Sequence, residues 1–136
     1  MKLVQAIAFV LTLVSTSNAQ RNLTDIPDSN PDVELKTFIL PDGFTANLYA
    51  SDPQLAKPIQ MNFDAKGQLW VASSEVYPHI KPGQPATDKI IVLKDTTGDG
   101  KADHRRVFVD NLLIPTGVVP GDGGVYVANS TDLIHY

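Results

Sequence analysis

Gly67-Gln-Leu-Trp-Val-Ala-Ser-Ser74 and Gly123-Gly-Val-Tyr-Val-Ala-Asn-Ser130 are two versions of one pattern. Each opens on a turn glycine, runs through an apolar segment with an aromatic second, and closes on small polar residues. A short apolar run rich in β-branched and aromatic side chains, bounded by turn residues, reads as a strand covered on both faces. Pro58 and Pro115 stand ahead of the strand that precedes each copy, so the recurrence extends beyond eight residues. Working outward, Ile59–Phe63, Leu69–Ala72, Lys89–Leu93 and His104–Val109 read as four successive strands. Asp64-Ala-Lys-Gly67 is a tight turn, with Gly67 free to adopt positive φ. Pro78–Ala86 holds three prolines and a glycine and reads as a loop. Phe44–Ala50 alternates well enough for a further strand, after the turn signal Pro41-Asp42-Gly43.

A four-stranded unit recurring at about 40 to 50 residues is the mark of a propeller blade. A β-sandwich with two similar hairpins is the competing architecture. The sequence therefore predicts an all-β, incomplete β-propeller: one full four-stranded blade plus parts of its neighbours. Closure needs at least about four blades, and Leu133-Ile-His-Tyr136 reads as another strand at the end of the sequence. Open blades leave bare backbone edges, so the expectation is the N-terminal fragment of a longer protein, with the remaining blades as its partners.

The chain of 136 residues carries a net charge of −4, no cysteine and 10 prolines. Mild acidity disfavours nucleic acid and anionic membrane surfaces as partners. The first nineteen residues are a separate object. Lys2 is followed by Leu3–Val14, apolar apart from Gln5 and Thr12, and then by Ser17 and Ala19 at cleavage spacing. This predicts a signal peptide over residues 1–19, cut after Ala19, with export to the periplasm or the extracellular space. The apolar run falls short of the roughly 20 residues that span a bilayer, so no membrane span is expected after cleavage. Residues 20–33 read as a polar, proline-broken linker, and residues 34–136 as the blades. Without cysteine the chain holds no disulfide and no haem through Cys-x-x-Cys-His.

Lys94-Asp-Thr-Thr-Gly-Asp-Gly-Lys-Ala-Asp103 places three aspartates between the third and fourth strands. Asp99-Gly100 is a strong turn dipeptide and accounts for the turn by itself. Asp95, Thr97, Asp99, the carbonyl of Lys101 and Asp103 match positions 1, 3, 5, 7 and 9 of an EF-hand loop. Position 12 is Arg106, so the bidentate glutamate is missing. Like charges about 4 Å apart repel by about 4 kcal/mol at an effective dielectric of 20, so converging carboxylates need a cation or must splay into solvent. Both readings stay open: a structural Ca²⁺ site of the weak extracellular class, roughly 10⁻⁴ to 10⁻³ M, or a solvated hairpin.

His79, on the long loop, is a candidate general base, with Glu75 directed at the same region; an exposed loop histidine is the plainer reading. His104 and His135 have no partner at metal spacing. Trp70 reads as core between blades. Arg105 and Arg106 have Asp103 and Asp110 as available ion-pair partners. No nucleophile elbow, P-loop, dinucleotide motif or zinc-helix motif occurs, so catalytic and cofactor-binding residues are not assigned.

FILPDGFTANLYASDP (38–53), FDAKGQLWVASSEVYP (63–78), KIIVLKDTTGDGKADHRRVFVDNL (89–112) and PTGVVPGDGGVYVANS (115–130) together resemble the start of the large exported membrane-bound dehydrogenases of planctomycete and verrucomicrobial bacteria. The resemblance implies a glucose/sorbosone dehydrogenase-type β-propeller and an oxidoreductase parent acting on a sugar or alcohol. It implies pyrroloquinoline quinone as a cofactor of the full-length parent only. The alternative is a non-catalytic, calcium-stiffened propeller module that binds glycan or protein, with carbohydrate as a candidate partner.

Overall fold

The computed structural model describes residues 28–136. The signal peptide expected over residues 1–19, and the linker as far as residue 27, lie outside them. Among the described residues the architecture is all-β: two antiparallel sheets and one short helix. Strands β1 (Pro58–Phe63), β2 (Leu69–Ser73), β3 (Asp88–Lys94) and β4 (His104–Leu112) form the first sheet in the order β1-β2-β3-β4. Strands β5 (Gly117–Gly121), β6 (Gly124–Asn129) and β7 (Asp132–His135) form the second in the order β5-β6-β7. Each strand pairs with its sequence neighbour, as short hairpin connections dictate.

All four strands expected in the first sheet are present, with ends extended by one to three residues. β4 runs on to Leu112 through two register shifts against β3, which bring Leu112 opposite Asp88 and into the core. Two expectations need correction. Helix α1 (Pro31–Leu35) occupies the end of the expected linker, because the Asn30 side chain caps the Asp32 amide at 2.9 Å and Pro31 starts the first turn. Phe44–Ala50 is not a strand. It lies across the face of the first sheet, with Tyr49 and Ala50 packed on it. There its backbone finds one long-range bond, Ala102 N to Tyr49 O at 2.8 Å, instead of a ladder.

The two repeat segments become β2 and β6, the middle strands of their hairpins. Registers align the sheets residue by residue. Trp70 faces Val92 and Ala72 faces Ile90 across the first sheet; Tyr126 faces His135 and Ala128 faces Leu133 across the second. The unusual backbone repeats as well: Lys57 and Ile114, each before its proline, both take positive φ, 42° and 47°. Ser74 N donates to Lys57 O, and Ser130 N to Leu113 O, so each middle strand is tied off in the same way.

Side chains alternate across each sheet, so β2 serves two cores. Trp70 and Ala72, with Ile90 and Val92, make the front of the first sheet and pack on Val118, Val125 and Val127 of the second. Leu69 and Val71, with Ile91 and Leu93, make its back and pack under Tyr49, Ala50, Leu55 and Ala102. Val125 and Val127 are the counterparts of Leu69 and Val71. The front of one sheet therefore meets the back of the next, and the same operation relates sequence and packing.

Candidate functional site

Connections alternate between the two ends of the sheets, and chemistry-bearing side chains collect at both. At one end lie the β2–β3 loop (residues 74–87) and the β4–β5 link. Asp88, at the start of β3, is fully buried here. Its Oδ2 accepts from Ser74 Oγ at 2.5 Å and from Ile114 N at 3.1 Å, and its Oδ1 accepts from Val76 N at 3.2 Å. A buried carboxylate is tolerated only when its lone pairs are used, and these donors use them. The Ile114 bond makes Asp88 a latch between the sheets. A second latch is Gln60, whose Oε1 accepts from Val118 N at 2.7 Å. On the loop itself, Glu75 pairs with Lys89 at 3.4 Å rather than with a histidine, and no acid–base pair with His79 forms.

At the other end, the aspartate loop closes the β3–β4 hairpin. Asp95 Oδ1 accepts from Thr97 N at 3.0 Å and Gly98 N at 2.6 Å, and its Oδ2 accepts from Gly100 N at 2.8 Å. Gly98 and Gly100 sit at φ 79° and 80°, which turns these amides inward. The Gly100 amide first, then those of Gly98 and Thr97, hold the Asp95 carboxyl below its ordinary range against partial desolvation. Asp103 is held low chiefly by the Thr96 hydroxyl, bound at 2.6 Å, and by the Thr96 amide. Asp99 turns to Lys101 N at 3.0 Å. The predicted ligands Asp95, Thr97, Asp99, Lys101 and Asp103 thus share one loop, but each carboxylate is engaged by backbone or hydroxyl donors. Among the described residues no three acidic or histidine side chains converge as a metal-holding group. As folded, the loop is a hydrogen-bonded hairpin whose carboxylates keep further lone pairs toward solvent.

Beside that loop, between the sheets, lies a groove lined by Asp64, Lys66, Gln68, Trp70, Arg106, Pro120 and the glycines of the β5–β6 turn. Asp64 is the organiser. It accepts from the Trp70 indole at 3.0 Å, from the Gln68 side chain at 2.9 Å and from the Lys66 and Gln68 amides. Desolvation pushes Asp64 up, yet these bonds, the Trp70 one foremost, outweigh it and hold the carboxyl low. The second sheet repeats the device, with Tyr126 Oη donating to Asp122 at 2.7 Å; that bond first, then the Asp122 charge, raises the tyrosine. Trp70 meets Phe108 edge-on at 4.9 Å, between the sheets as expected. The Arg106 guanidinium lies 5.3 Å over Phe108. Neither arginine pairs with Asp103 or Asp110: Arg105 Nε bonds the Gln54 carbonyl, and Arg106 sits on the aromatic rings. Lys89–Glu75 is the ion pair found among the described residues.

Sequence reasoning missed Asp88, because its partners lie 14 and 26 residues away and carry no local spacing. It missed Asp64 as the acceptor for the Trp70 indole for a different reason: the tight turn Asp64–Gly67 already explained that aspartate.

Residues 30–136 match the family described as Domain of unknown function (DUF7133). No curated protein and no solved structure matches the chain. With that match running from the cap of the short helix to the last residue of the sequence, the chain belongs to the DUF7133 family.

Proposed function

We propose that the chain supplies the first blades of an exported β-propeller of the sugar or alcohol dehydrogenase-like kind, and acts in it as framework rather than as catalytic centre. One observation carries the reading: two copies of one sequence pattern form two sheets stacked front to back with the same registers. Radial repetition of blades uses this operation, whereas a sandwich pairs two inner faces. Support for a framework role comes from where the polar groups are used. Buried Asp88 latches sheet to sheet, Glu75 is held by Lys89, and Asp64 orients Trp70. The dehydrogenase lineage rests on the sequence resemblance alone, and fold is a weak guide to activity. In this reading pyrroloquinoline quinone belongs to the whole parent protein. Titrating the chain with that quinone, followed by absorbance, gives no stoichiometric binding; a clear one-to-one end point overturns the framework role.

A second reading is favoured by the groove at Arg106. A cation stacked on aromatic rings beside a tryptophan, in a space of about 440 Å³, suits a polar ligand such as a glycan. Under this reading the module binds without catalysis, and Arg106→Ala abolishes glycan binding measured by calorimetry while leaving the melting temperature in place.

A further inference from the structure

We infer that the front face of the second sheet, formed by Tyr126, Ala128 and Leu133, is a docking face for a third antiparallel sheet whose back carries small β-branched residues. The inference rests on the propeller reading and specifies its partner. Registers make Leu133 the counterpart of Ile90, and Tyr126 and Ala128 those of Trp70 and Ala72. In the first sheet that face is sealed by Val118, Val125 and Val127, and Ile90 is 0% exposed. In the second sheet the same face has no cover among the described residues, and Leu133 is 74% exposed. A leucine left bare where its repeat counterpart is core marks an interaction surface. What covers the counterpart states the chemistry of the occupant.

The rest of the molecule narrows the choice. A second copy of this chain would have to offer a bare sheet back. The centre of the back of its first sheet is already covered, since Leu69, Val71, Ile91 and Leu93 are buried under Tyr49, Ala50 and Leu55, and Met61 and Phe63 at the β1 edge are what it leaves open. The back of its second sheet is spent on its own first sheet. Stacking therefore grows in one direction, and the partner is an uncapped sheet. The contact differs from the internal one in a predictable way. Gly117 stands where the Gln60 latch stands, and Thr131 where Asp88 stands. Gly117 has no side chain and Thr131 has no carboxylate, so the docked sheet lacks both latches of the internal contact and is held mainly by apolar burial.

Because Tyr136 is the register counterpart of Leu93, repeating residues 94–136 directly after Tyr136 continues the pattern in phase. It gives the second sheet a fourth strand and adds a third sheet with a valine back. The extended chain and the natural one are compared by thermal melting and amide hydrogen exchange, each with and without Leu133→Glu. The expected result is protection of the added strands, a drop of about 10 °C or more on Leu133→Glu in the extended chain, and about 2 °C or less in the natural chain. Added strands that are protected while Leu133→Glu stays silent overturn the docking face and leave the propeller reading standing. Added strands that exchange freely overturn both. A natural chain that sediments as a dimer, and becomes monomeric with Leu133→Glu, overturns the inference in favour of a second copy meeting face to face.

Discussion

The two sheets of this protein carry the same pattern and meet different fates. Ile90 and Leu133 occupy equivalent register positions opposite equivalent alanines, yet one is sealed and the other open. Met61 and Val118 show the reverse asymmetry on the back faces: Met61 is 62% exposed and Val118 0%. The difference lies in neighbours and not in strand sequence. A strand pattern states that a face is apolar; only the next layer decides whether that face is core.

The largest expected contrast follows directly. Ile90→Ala removes side-chain volume from a packed interface and costs about 2–5 kcal/mol, whereas Leu133→Ala in the natural chain stays within about 0.5 kcal/mol. Denaturant melts of the two variants check this, and equal losses would break the comparison. Next come the latches present on one side only. Asp88→Ala strands the Ser74 hydroxyl and the amides of Val76 and Ile114, a loss of about 1–3 kcal/mol for each donor left without a partner. Thr131→Ala, at the matching position, changes little. Gln60→Ala leaves the Val118 amide without its acceptor and costs about 1 kcal/mol.

The carboxylates sharpen the comparison by pH. Asp64, Asp95 and Asp103 all titrate below the ordinary aspartate value of 3.8 in the folded chain. Their stabilisation is complete above that value and is lost as pH falls through the lower folded values. Melting temperature should therefore be flat at neutral pH and fall below about pH 4. Asp95→Asn should flatten that fall. The smallest effect concerns calcium. Since the loop carboxylates are taken up by amides and hydroxyls, millimolar Ca²⁺ leaves the melt unchanged. A rise that Asp95→Ala abolishes would establish a cation site in this loop.

Much of the fold was legible because strand signals are local. The Gly67–Ser74 echo, the Asp64–Gly67 turn and the Asp99-Gly100 hairpin each act within a few residues. Phe44–Ala50 misled for the opposite reason, since alternation qualifies a segment for a ladder without supplying the neighbouring edge. The EF-like spacing of Asp95, Asp99 and Asp103 located one hairpin loop, while the amide and hydroxyl partners of these carboxylates were not legible. Spacing places carboxylates in one loop, but positive-φ glycines decide whether those carboxylates turn to one another or to the backbone. Asp88 was invisible, because nothing near it in sequence announces Ile114.

The claim on which the account stands is that the front of the first sheet meets the back of the second. Methyl–methyl NOE spectroscopy tests it most directly. The account predicts cross-peaks from Ala72, Ile90 and Val92 to Val118, Val125 and Val127, with none from Leu133 to the first sheet. Cross-peaks from Val125 and Val127 to Leu69 and Val71, or from Leu133 to Ile90, would contradict it.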